Sequence, residues 1–132
     1  MNPNPGPGKL IVLEGLDGAG TTSQAAAVAA WLTGRAVPVH ITREPSDGPI
    51  GVQIRAVLGH RLLVDPRTLA ALFAADRLDH LYFKGGVQDR LQAGEWVLMD
   101  RYYLSSYAYQ SLKLDASGLR WLRDMHEPCL LP

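Results

Sequence analysis

The chain has 132 residues, 47% of them hydrophobic, with 13 basic and 13 acidic side chains. That length suits one domain with a core, and the even charge argues against a general nucleic-acid or membrane partner. The single cysteine, Cys129, excludes an internal disulfide framework and a cysteine metal cluster, and reads as a spare thiol. No apolar stretch is long enough to span a bilayer. The first eight residues, Met-Asn-Pro-Asn-Pro-Gly-Pro-Gly, read as a flexible leader without the charged start and apolar core of a secretion signal. A cytoplasmic protein is expected, with its domain over residues 9–132.

Residues 9–14, with β-branched Ile11 and Val12, predict a first strand. The alanine-rich stretch 21–33 predicts a helix with Gly34 as its C-cap. Between them lies Gly15-Leu16-Asp17-Gly18-Ala19-Gly20-Thr21-Thr22. A glycine-rich turn from a strand into a helix N-terminus aims backbone N–H groups, and the positive end of the helix dipole, at an anion. The phosphate-loop pattern G-x-x-x-x-G-K-[ST] is met at Gly15, Gly20 and Thr22, but Thr21 stands where the lysine belongs. The loop keeps its backbone cradle, with Gly18 as a third glycine, and loses its point charge. Two readings stay open. Either the loop holds a phosphate by other means or less well, or it is a glycine-rich turn with no ligand.

Residues 37–42 predict a second strand, 43–49 a loop by its turn residues, and 50–58 a short helix ended by Gly59. Asp65-Pro66 reads as an N-cap followed by proline at the first helical position. That helix is expected to run to about Leu91, with a break or kink at Gly85-Gly86. Residues 96–99 predict a third strand ending at Asp100-Arg101, and 103–111 and 119–125 predict helices. Strands alternating with helices predict an α/β fold with a parallel sheet, whose ligand lies beyond the carboxyl ends of the strands. The loops Gly15–Thr22, Arg43–Gly48 and Asp100–Tyr102 fall at those ends and are expected to form one site.

Four segments carry a resemblance. They are Leu-Glu-Gly-Leu-Asp-Gly-Ala-Gly at 13–20, Thr-Arg-Glu-Pro at 42–45, Leu-Phe-Ala-Ala-Asp-Arg at 72–77 and Asp-Arg-Tyr-Tyr-Leu-Ser-Ser-Tyr-Ala-Tyr-Gln at 100–110. In this order and spacing the chain resembles the thymidylate kinase family across almost its whole length after the leader. The resemblance implies a P-loop, nucleoside monophosphate kinase-like fold, with ATP as donor, dTMP as acceptor, Mg²⁺ as cofactor and commonly a homodimer.

It also implies roles. Gly15, Gly18, Gly20, Thr21 and Thr22 would lie at the donor phosphates, with Thr22 and Asp100 at the metal. Asp17 would stand near the sugar and acceptor phosphate, and Arg101 would bridge donor and acceptor phosphates. Arg43 and Arg55 would hold the acceptor phosphate, for which a guanidinium fork is suited. Phe73 would stack on thymine and Arg77 would donate to the base edge; positions four apart share a helix face. Ser106 and Gln110 would read the base, and Tyr109 would disfavour a 2′-hydroxyl.

The residues alone leave plainer readings beside these. Phe73 could be core, and Arg55, Asp76 and Arg77 a solvated helix surface. Asp100-Arg101 could be a surface ion pair, and some of Tyr102, Tyr103, Tyr107 and Tyr109 must pack. His40, His60, His80 and His126 show no ligand spacing and read as structural or exposed.

Three departures from the family stand out. Thr21 removes a central cation from a reaction that depends on charge neutralisation. Arg101 or a cation from a distant segment would have to compensate, since Lys9 precedes the first strand and lies at its wrong end, and Lys84 and Lys113 have no motif support. Next, family members continue with a further strand and a lid. The chain is therefore expected to be an N-terminal portion of a longer kinase, its sheet truncated after the third strand and its first strand at an exposed edge. Last, Asp47 adds a negative charge in the loop after Pro45. Two other functions remain: a nucleotide-binding module without catalysis, and a deoxynucleoside kinase, against which the paired Arg43 and Arg55 argue.

Overall fold

The computed structural model describes residues 7–16, 18–102, 105 and 109–129. In chain order the elements are β1 (Leu10–Leu13), α1 (Thr21–Thr33), β2 (Val39–Arg43), α2 (Pro49–Leu58), α3 (Pro66–Tyr82), α4 (Val87–Gln92), β3 (Trp96–Asp100) and α5 (Ala116–His126). Short 3₁₀ turns cover Ser111–Lys113 and Glu127–Cys129. Asp17, Ser106 and most of the helix predicted over 103–111 lie outside the described residues. No helix among the described residues is long and apolar enough to cross a membrane. The chain divides into two units, Met1–Arg43 with Tyr82–Tyr102, and Glu44–Leu81 with Tyr103–Pro132.

The first unit is built on a three-stranded parallel sheet in the order β1-β3-β2. The centre falls to β3 because Val97, Leu98 and Met99 are consecutive, apolar and buried, the pattern of a parallel strand covered on both faces. On α1 the buried residues Ala25, Ala29 and Leu32 recur at helical spacing. Ala29 and Leu32 pack with Leu98 in a cluster that also takes in Ile11, Val28, Val37, Val39 and Trp96. Among the described residues β1 pairs with β3 alone, so it lies at an edge of this sheet, as expected. Gly8, at the end of the stretch read as a leader, donates its N–H to Leu91 at 2.7 Å. The helix predicted to reach Leu91 breaks where the paired glycines stand. α3 ends at Tyr82, Gly85 takes a left-handed φ of 78°, and α4 begins at Val87.

The second unit is helical. Pro49 starts α2 and Gly59 ends it. Asp65 accepts the Arg67 N–H at 2.9 Å at the start of α3, as the Asp-Pro pair predicts. α5 begins three residues earlier than predicted, because Asp115 caps it by accepting the Gly118 N–H at 2.8 Å. Buried positions on α3 include Ala70, Ala74, Arg77 and Leu81, one continuous stripe at helical spacing.

Gly51 is buried on α2, and a Cβ there would stand 1.9 Å from the Ser46 carbonyl oxygen. Alanine normally favours a helix over glycine by about 1 kcal/mol. Here overpacking against backbone outweighs that gain, and Gly51→Ala is expected to destabilise the chain by about 1–3 kcal/mol. Urea unfolding measures this, and an unchanged midpoint would contradict the close approach.

Candidate functional site

In the first unit the strand ends and the glycine loop meet. The sheet register sets Leu13, Asp100 and Arg43 side by side, at the carboxyl ends of β1, β3 and β2. Gly18 and Gly20 hold φ of 79° and 84°, a left-handed region costly to any residue with a Cβ. Gly20 is the N-cap of α1 and supplies no side-chain bond to the helix. The first-turn N–H groups are therefore uncapped by a side chain at the positive end of the dipole, the arrangement that binds phosphate. Gly15 lies close to the Thr21 methyl, which a Cβ there would approach to 3.1 Å. Thr21 is half-buried at the first helical position.

Thr22 Oγ1 donates to Asp100 Oδ2 at 2.6 Å across 78 positions of sequence. The other carboxylate oxygen, Asp100 Oδ1, is buried and has no hydrogen-bond partner among the described residues. A hydroxyl beside a carboxylate with an unsatisfied oxygen is a hard-oxygen donor set, and it fits Mg²⁺. No group of three or more His, Cys, Asp and Glu side chains among the described residues could hold a metal.

Arg101 follows with a φ of 71°, strained for a residue with a side chain, and its N–H donates to Leu13 at 2.9 Å. The next N–H, of Tyr102, donates to Glu14 Oε1 at 2.7 Å. Sequence reasoning passed over Glu14; its only signal was its place inside the Leu-Glu-Gly-Leu-Asp motif. Lys9 lies over the Trp96 ring at 5.5 Å, at the amino ends of β1 and β3, the opposite end from Asp100. It is no stand-in for the missing lysine.

In the second unit the solvated-surface reading fails for Asp76 and Arg77, which are 2% and 1% exposed. The Asp76 carboxylate accepts the Ser46 N–H at 2.7 Å and the Ser46 hydroxyl at 2.5 Å. Arg55 donates to the carbonyls of Pro45 at 3.0 Å and Ser46 at 2.7 Å. The loop from Glu44 to Asp47 is thus gripped from α3 and α2, and part of the Arg55 guanidinium is committed to backbone. Asp47 points outward, 83% exposed, and meets Arg55 at 3.4 Å.

Arg77 donates from Nε to Glu44 Oε2 at 2.6 Å and contacts His126 Nδ1 from Nη1 at 3.2 Å. His80 Nδ1 lies 3.2 Å from Glu44 Oε1. Burial, reinforced by the Arg77 charge, lowers the His126 pKa to about 4. Burial raises the Cys129 thiol, which therefore stays protonated and unreactive. Phe73 is half-buried one turn before Arg77. Gln110 is half-buried, and its Oε1 is a buried acceptor with no partner among the described residues. Tyr109 is 43% exposed.

Residues 13–132 match the family model for thymidylate kinase. The chain is 43% identical to the thymidylate kinase of Leifsonia xyli over 129 residues, covering 96% of this chain and 60% of that protein. It is 41% identical to the thymidylate kinase of Clavibacter michiganensis over 128 residues, covering 95% of this chain and 60% of that one. The crystal structure of thymidylate kinase from Ehrlichia chaffeensis superposes with a TM-score of 0.74 at 28% identity, covering 91% of this chain and 68% of that one. The chain spans about half to three fifths of the length of the relatives it matches.

Proposed function

The chain belongs to the thymidylate kinase family, and from that premise we propose that it carries the acceptor site and part of the donor site for phosphoryl transfer from ATP to thymidine 5′-monophosphate. The observation that carries this reading is the Thr22–Asp100 contact, which ties the glycine loop to the end of the central strand beside Arg43. Cytoplasmic nucleotide biosynthesis and a homodimer belong to the same proposal.

The transfer runs in line, with no covalent enzyme intermediate, so the protein's task is positioning and charge neutralisation. Backbone N–H groups of Gly18, Gly20, Thr21 and Thr22 take phosphate oxygens, with Gly15 opening the loop. Thr21 offers a hydroxyl where a lysine would offer a charge, and this places more of the neutralisation on Arg101. Thr22 and Asp100 would hold Mg²⁺, which when bound would spread the charge of the phosphates. Asp17, Arg43 and Arg55 take the sugar and phosphate of the acceptor. Phe73 stacks on the base, Arg77, Ser106 and Gln110 read its edge, and Tyr109 excludes a ribose 2′-hydroxyl.

Calorimetry of this chain is expected to show saturable binding of dTMP, tighter than thymidine, and any ADP that it forms from ATP·Mg²⁺ is expected to require dTMP. Absence of dTMP binding, or ADP formation indifferent to dTMP, would overturn the reading.

A further inference from the structure

The second unit contains a linked row of four side chains that the phosphate chemistry does not use. His80 meets Glu44 at 3.2 Å, Glu44 pairs with Arg77, and Arg77 meets His126 at 3.2 Å. Glu44, Arg77 and His126 are almost wholly buried, with side-chain exposures of 3% and 1% for the first two and no exposure at His126.

A guanidinium has only donors, so the ring nitrogen facing Arg77 must be the acceptor. His126 is therefore neutral, with its proton on Nε2. Its pKa of about 4 keeps it neutral through the physiological range. The two contacts grip different edges of one rigid plane. Glu44 takes the Nε and Nη2 side, and His126 takes Nη1. Glu44 and His126 thus constrain the plane from two sides and together set its direction.

We propose that His126 is a positioning residue for base recognition: its neutral Nδ1 holds the Arg77 guanidinium in the orientation from which Arg77 donates to a pyrimidine carbonyl. This rests on the proposed reading of Arg77 as the base contact. A histidine that merely satisfies a buried arginine would affect stability and leave base selectivity alone, and selectivity separates the two. Because a guanidinium only donates, it favours the 4-carbonyl of thymine over the 4-amino group of cytosine.

The test compares dissociation constants for dTMP and dCMP, by calorimetry, in the wild-type chain, His126→Asn, His126→Gln, His126→Leu and Arg77→Lys. The asparagine oxygen stands close to the place of Nδ1, whereas the glutamine carbonyl reaches the place of Nε2. Arg77→Lys keeps the charge and loses the planar fork. Arg77→Lys and His126→Leu are each expected to reduce the preference for dTMP by about tenfold or more, the weight of one charge-assisted hydrogen bond. His126→Asn is expected to keep the preference within about threefold, and His126→Gln to lose it as the leucine variant does.

If Arg77→Lys lowers the preference and His126→Leu does not, the positioning role is overturned while the base contact stands. If Arg77→Lys leaves the preference intact, the base contact fails and the proposal fails with it. Should the leucine variant not fold, the asparagine and glutamine pair decides: equal preference in both would overturn the proposal.

Discussion

Arg77→Met is expected to destabilise the chain by about 3–5 kcal/mol, the cost of breaking a buried ion pair by removing one partner. Methionine restores much of the volume, so the loss would come mainly from what stays behind. Glu44 has a side-chain exposure of 3% and would keep its charge, or take up a proton, away from water. His126 would lose the donor at its Nδ1. A loss of that size is a large fraction of the about 5–15 kcal/mol that holds an ordinary domain folded. The companion change, Glu44→Gln with Arg77→Met, removes both charges and is expected to recover a large part of the loss. Urea unfolding of the single and double variants measures the difference. A single variant within about 1 kcal/mol of wild type would show that the pair is not buried in solution.

The second large effect is on pH. An unfolded histidine takes up its proton near pH 6.5, whereas His126 in the fold does so only near pH 4. Between those values the unfolded chain binds more protons than the folded one, so stability falls as pH falls through this window. The pKa difference corresponds to roughly 3 kcal/mol, fully lost by about pH 4. Arg77 on α3, Glu44 and His80 stand around the same site, and the Cys129 thiol beside them remains protonated over the whole range. Carboxylates elsewhere also contribute to acid unfolding, so the measurement is a comparison. The slope of stability against pH between 6.5 and 4 is expected to be clearly shallower in His126→Asn than in wild type. Parallel slopes would mean that His126 is not held neutral by the fold.

Much of the architecture was legible because local chemistry decides it. The run of apolar residues in β3, the alanines of α1, Asp65-Pro66 and Gly85-Gly86 each act on their own neighbourhood, and the observed elements follow them closely. The polar partners were not legible. Glu14 caps Tyr102 from 88 positions away, Asp76 holds Ser46 across 30, and His126 meets Arg77 across 49. No periodicity reports which buried groups will find each other at such separations. One clue was available at Arg77, which falls on the stripe Ala70, Ala74, Leu81. A charged residue at a core position must be paired, and that argument excludes a solvated surface without any structure. Of the site residues implied by resemblance, Thr22, Asp100 and Arg43 are brought together in the first unit, while Arg55, Phe73, Arg77, Tyr109 and Gln110 belong to the second.

The order β1-β3-β2 also sets a timetable. Neither β1 nor β2 bonds to the other, and both wait for β3, whose partners on β1 are separated from it by more than 80 positions. A ribosome adds about 5–20 residues per second, so β1 spends on the order of ten seconds as nascent chain before its partner strand exists. During that interval the whole of 44–81, the helical segment inserted between the two halves of the sheet unit, is synthesised. On the ribosome the sheet therefore closes late, after that segment has been made.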